Sequence, residues 1–291
     1  MANTPLKLVF GDHPSVMPIK NGDIAVPGAD LEFIHYEATH DAFKPMVNGQ
    51  AFDVCEMAMT TLVMAKGYGR PLHMLPAVMI GRLQQPFASV NANVEMSSPA
   101  DIAGKRIGVR SFAQTTVTWL RGILKEEYGA DLDSAHWISF EDGHIPEAPD
   151  PSERAPAGKK MNQMLFDGEL DIVLGLKSDD PRVRPLIPNP QAAAQAWYDK
   201  HQCFAINHVV AVTEDMVANH MDLLVEFYGA LKKGKASVPQ PEGPDPKPMG
   251  FDGVRNSLDL LITYANSLGL LPGPIRAEDL IDPRIREAIG E

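Results

Sequence analysis

Several short stretches of this 291-residue chain gather side chains able to move a proton or hold an anion. Gly11, Asp12 and His13 follow the apolar run that starts at Leu6. Asp12 and His13 have the types of a general acid/base pair, although Gly-Asp-His-Pro is also an ordinary turn. Glu56 comes straight after a run that reads as a buried strand, where a carboxylate requires a partner, and Met57, Thr60 and Thr61 follow it. Gly81 and Arg82 close a long apolar run, Lys177 and Ser178 close another, and Asn207 and His208 open a third. Arg110, Ser111, Gln114 and Thr115 lie where a strand turns into a helix. A helix start offers unpaired N–H groups and partial positive charge, Ser111, Gln114 and Thr115 add neutral donors, and Arg110 can clamp a carboxylate with two parallel bonds. Two plainer readings stay open: Ser111 as a simple cap with Arg110 paired to a surface acid, and His208 as a satisfied core histidine.

These residues need a scaffold, and the chain alternates strand-like and helix-like segments almost throughout, the pattern of βαβ units and a largely parallel sheet. Strands are expected at 6–11, 31–36, 52–57, 72–80 and 87–94, with helices at 39–48 and 60–69. A second, similar series follows: a strand at 106–109, a helix at 114–128 with Val117, Leu120, Ile123 and Leu124 on one face and Gly129 as its stop, and strands at 137–140 and 170–176. Helices at 160–167 and 191–201, a proline-rich loop at 145–160 and a returning strand at 205–212 complete it. Two long helices, 215–235 and 252–268, come last. The expected architecture is α/β and two-lobed, with residues 1–90 plus 207–291 in one lobe and 91–206 in the other. Ligands of open parallel sheets bind beyond the carboxyl ends of the strands, so the residues named above would line a cleft between the lobes.

Composition narrows the function further. A formal charge of −12 argues against non-specific binding to nucleic acid or anionic membranes. No window approaches the roughly 18 apolar residues of a membrane span. The start of the sequence has no basic segment followed by an apolar one, the pattern of a cytoplasmic protein, which is the favoured reading, or of one whose leader has been removed. Cys55 and Cys203 sit in apolar surroundings and read as small buried hydrophobes. No dinucleotide fingerprint, phosphate loop, nucleophile elbow or zinc-protease motif occurs, and no metal-ligand spacing; His201 and Cys203 stand alone. The methionines 57, 59, 64, 74 and 79 read as core filling. A homodimer is compatible with the sequence, which does not fix the oligomeric state.

The stretches Phe52-Asp-Val-Cys-Glu-Met-Ala-Met-Thr-Thr, Ser98-Pro-Ala-Asp-Ile-Ala-Gly-Lys-Arg-Ile-Gly-Val and the run from Thr116 to Gly129 resemble the 4,5-dihydroxyphthalate decarboxylase family. Ile206-Asn-His-Val-Val-Ala-Val and the segment from Asp252 to Leu268, with its Ala-Glu-Asp-Leu-Ile-Asp-Pro ending, continue the resemblance. It implies the type II periplasmic-binding-protein fold and loss of one carboxylate from a dihydroxylated aromatic diacid, with no organic cofactor. Carried over by position, Glu56, Arg82, Arg110, Gln114 and His208 face the cleft. The chain departs from the family at Gly81-Arg-Leu-Gln-Gln-Pro-Phe, which keeps one arginine and lacks a second arginine and a histidine, and at Gly175-Leu-Lys-Ser, where an arginine is more usual.

On that resemblance, Arg82 and Arg110 hold the retained carboxylate, with Lys177 in reserve and Asp12, Thr60, Ser111, Gln114 and Thr115 contributing to binding. Glu56 serves as the base for a phenolic proton, and His208 or His13 as the acid that protonates the ring carbon. The expected partner is a small anionic, aromatic carboxylate. Two alternatives are a solute-binding protein that hands an organic acid to a transporter, and another cytosolic enzyme of the same fold, as in the futalosine menaquinone route or thiamine-pyrimidine synthesis.

Overall fold

A computed structural model describes residues 2–291. The chain opens with β1 (Thr4–Val9) and a single-turn helix α1 (Met17–Lys20), then β2 (Ala29–Phe33), α2 (Phe43–Gly49), β3 (Val54–Ala58), α3 (Met59–Gly67) and β4 (Leu72–Arg82). Next come β5 (Ala88–Asn91), β6 (Arg106–Val109), α4 (Thr115–Tyr128), β7 (His136–Ser139), β8 (Glu153–Arg154), α5 (Met161–Phe166), β9 (Ile172–Leu174), β10 (Val183–Pro185) and α6 (Pro190–His201). The last part holds β11 (Ala205–Thr213), α7 (Glu214–Asn219), α8 (Met221–Ala236), α9 (Phe251–Ser267) and α10 (Pro283–Ala288). Among the described residues no helix is long and apolar enough to cross a membrane.

The chain divides into two compact units, one of Met1–Gly81, Ile206–Ile262 and Gly273–Glu291, the other of Arg82–Ala205 and Thr263–Pro272. The first unit is built on a five-stranded sheet in the order β2-β1-β3-β11-β4. β1 runs parallel to β2 and β3, whereas β11 runs antiparallel to β3 with Val210 opposite Glu56 and His208 opposite Ala58. All five residues of β3 are buried, and so is α3 from Met59 to Ala65, which therefore lacks a polar face. Phe227 and Leu231 of α8 and Leu258 and Leu261 of α9 add to this core.

The second unit has a six-stranded sheet in the order β10-β5-β9-β6-β7-β8. β6 is parallel to β7 and β9, while β5 pairs antiparallel with β9 and β10. Its core centres on Trp119 of α4, whose ring meets Trp197 edge-on at 5.9 Å and Tyr264 at 5.7 Å. Gly122, one turn on, lies directly under that tyrosine: a Cβ there would fall 2.1 Å from its ring. The Tyr264 hydroxyl donates to Glu126, and Lys200 bridges Glu126 at 2.8 Å and Glu127 at 2.7 Å.

Several expectations need adjusting. The sheets are mixed rather than largely parallel, because β5 and β11 return antiparallel to their neighbours. The expected strand at 87–94 shortens to β5 and pairs wholly within the second sheet. The single helix expected at 215–235 breaks at His220, where φ reaches −135° and leaves the helical region. Part of the loop at 145–160 joins the sheet edge as β8. The short helices α1 and α10 carried too few residues to show a periodicity.

Candidate active site

Glu56 is the centre of a polar cluster in the first unit. It sits on β3 with 1% exposure, so its charge must be neutralised by neighbours. The parallel pairing of Val9 with Cys55 brings the end of β1 beside it, and the Gly11 amide donates to Oε2 at 2.9 Å. His13 Nε2 meets the same oxygen at 2.8 Å. His208 lies one diagonal away on the same face of β11, since Val210 is opposite Glu56, and its Nδ1 meets Oε1 at 2.6 Å. Burial opposes ionisation, but the hydrogen bonds from His13 and His208 outweigh it and hold the carboxyl well below the usual carboxylate range.

An ionised carboxylate only accepts hydrogen bonds, so both ring nitrogens facing Glu56 carry protons. That fixes the tautomer of each neutral histidine: Nδ1 of His13 and Nε2 of His208 are left as acceptors on partly exposed rings. Phe43 of α2 buttresses the second ring edge-on at 5.3 Å. Gly11 keeps the cluster tight, as a Cβ there would lie 3.2 Å from His13 Nε2 and from Thr39 Oγ1 and 3.4 Å from Glu56 Oε2. The geometry corrects two expectations. Glu56 is unsuited as the base, because both its oxygens are committed and its proton affinity is low. Asp12 does not pair with His13; it is 76% exposed, bonded to Lys20 Nζ at 2.7 Å, and its carboxyl is lowered by that contact. Thr60 is buried in the first turn of α3.

The remaining candidates belong to the second unit. The Arg82 guanidinium stacks on the Phe87 ring at 3.8 Å and donates to Thr116 Oγ1 at 3.3 Å. Its Nε is buried without a hydrogen-bond partner, it has no carboxylate partner among the described residues, and burial lowers its pKa. Arg110 faces Glu141 at 3.6 Å, as its plainer reading required. Ser111 is buried but is not the cap of α4. That position falls to Gln114, whose side chain makes no capping bond and whose Oε1 is buried without a partner, while Thr115 is buried as the first helical residue. Lys177 is exposed. Phe43, Phe87 and Thr116 escaped the sequence reading, since a supporting ring or hydroxyl carries no motif.

Two groups could geometrically hold a metal ion among the described residues: His73 with Glu214 and Asp282, and Glu126 with Glu127 and His201. Each already has a cation in place. Arg284 donates to Glu214 at 3.1 Å and to Asp282 at 2.9 Å, and Lys200 bridges the other pair, so both are ion-pair networks.

The chain is similar to several known proteins. The family model "NMT1/THI5 like" matches residues 25–146. A 4,5-dihydroxyphthalate decarboxylase of Comamonas testosteroni is 27% identical over 253 residues, covering 81% of this chain and 76% of the relative. One of Pseudomonas putida is 25% identical over 209 residues, covering 66% and 81%. The periplasmic aliphatic sulphonate binding protein SsuA of Escherichia coli superposes with a TM-score of 0.58 at 12% identity, covering 97% of this chain and 92% of that one. The chain thus has a periplasmic-binding-protein-like α/β fold and is similar over most of its length to 4,5-dihydroxyphthalate decarboxylases.

Proposed function

We propose that this protein is a cofactor-independent decarboxylase of a hydroxylated aromatic dicarboxylic acid of the 4,5-dihydroxyphthalate kind, acting in the cytoplasm in aromatic catabolism. The observation that carries the proposal is the pair of histidines anchored on one buried, ionised carboxylate. The reaction needs a base and an acid in one place. A neutral imidazole takes the phenolic proton, and the phenolate pushes electron density into the ring. The other imidazole, protonated, delivers its proton to the ring carbon that bears the departing carboxylate. The carbon–carbon bond then breaks, its electron pair restores the aromatic phenolate, carbon dioxide leaves, and the first imidazolium returns the phenolic proton. One proton is consumed per turnover and is replaced from solvent.

His208 is assigned as the acid and His13 as the base, because the bond to Glu56 leaves Nε2 of His208 at the far end of its ring. Glu56 keeps both rings in the working tautomer and stabilises the imidazolium. The test is carbon dioxide release from 4,5-dihydroxyphthalate by the purified protein. His208→Ala is expected to lower kcat by roughly 10²–10⁴-fold with little change in binding. Saturable binding of the diacid without turnover would overturn the reading in favour of a solute-binding protein.

A further inference from the structure

α4 carries a buried cation that the reaction does not use. Arg121 is 4% exposed, with its guanidinium 3.9 Å from the centre of the Phe112 ring and 5.0 Å from that of Trp137. Its one hydrogen bond is a long contact of 3.4 Å from Nη1 to the Phe112 carbonyl. Nε has no partner, and no carboxylate lies within ion-pair distance among the described residues. Aromatic faces compensate a desolvated guanidinium only in part, so this charge is short of an anion.

Arg121 also lines a cavity of about 540 Å³ within the second unit. Lys125, one turn further along the same face of α4, shares that wall and donates to the Ser267 carbonyl at 3.3 Å, which leaves its other ammonium protons uncommitted. The other charged residues that line it have the opposite sign. The turn after α4 contributes Asp131 and Asp133, both exposed and neither in an ion pair among the described residues. Asp131 Oδ1 accepts only the Asp133 amide, at 3.2 Å. α4 and α9 both end at this cavity, and helix C-termini carry partial negative charge. A bare anion would be repelled by the two aspartates and a bare cation by Arg121 and Lys125.

We propose that this cavity binds a zwitterionic small molecule of the α-amino-acid class, its carboxylate on Arg121 and Lys125 and its ammonium on Asp131 and Asp133. The site is separate from the histidine cluster, and the inference does not depend on the decarboxylase reading. Titration calorimetry of the full chain with the common L-α-amino acids tests it, with acetate, methylammonium and inorganic phosphate as single-charge controls. At least one amino acid should bind saturably, and the controls should not. Arg121→Met keeps an apolar stem between the two rings and should weaken binding by about tenfold or more, the scale of a lost charged hydrogen bond. Asp133→Asn, at an exposed position, should weaken it comparably and carries the test if the first variant misfolds. Absence of any amino-acid binding, equal binding to the folded variants, or phosphate binding as tightly as the amino acids would overturn the proposal.

Discussion

The three groups on Glu56 donate to its two oxygens, leaving it little room to act as anything but an anchor. Glu56→Ala strands a backbone amide and two ring N–H groups in a buried site, and is expected to destabilise the fold by roughly 3–5 kcal/mol in urea titration. Glu56→Gln should fold better but release the histidine tautomers, since an amide presents a donor to one of the two rings; kcat should fall with KM nearly unchanged. The pH dependence has a definite sign. The folded carboxyl lies below its unfolded value, so its contribution is fully present above about pH 4.5 and is lost as pH falls below that. The stability gap between wild type and Glu56→Gln should therefore narrow below pH 4.5.

Elements were legible where local rules decide them. The apolar face of α4 and its glycine stop emerged within one residue of the observed helix, because four buried side chains recur at helical spacing. Strand direction was not legible, since nothing local distinguishes a β11 that returns antiparallel from a parallel one. The same limit applied to the site. Glu56, His13 and His208 each stood out by type, yet their sharing of one carboxylate spans 43 and 152 positions of sequence and depends on register. Gly122 shows packing overriding propensity. Alanine is the better helix former by about 1 kcal/mol, but the tyrosine ring occupies the space of a Cβ. Gly122→Ala should destabilise by about 1–3 kcal/mol, measured by urea unfolding, with the loss recovered in part by Tyr264→Leu.

At the scale of the whole molecule, the polypeptide passes from one unit to the other after Gly81, Ala205, Ile262 and Pro272. The segment Thr263–Pro272, which includes the last helical turn of α9, thus completes a unit whose other residues run from Arg82 to Ala205. Glu126 and its hydroxyl donor Tyr264 are 138 positions apart. A ribosome adding about 5–20 residues per second needs roughly 7–28 s to span that interval. Throughout it the nascent chain carries Trp119 and Gly122 without the aromatic ring that roofs them. Translation speed through the segment from Glu126 to Tyr264 therefore sets how long that tryptophan surface stays available to chaperones or to neighbouring chains.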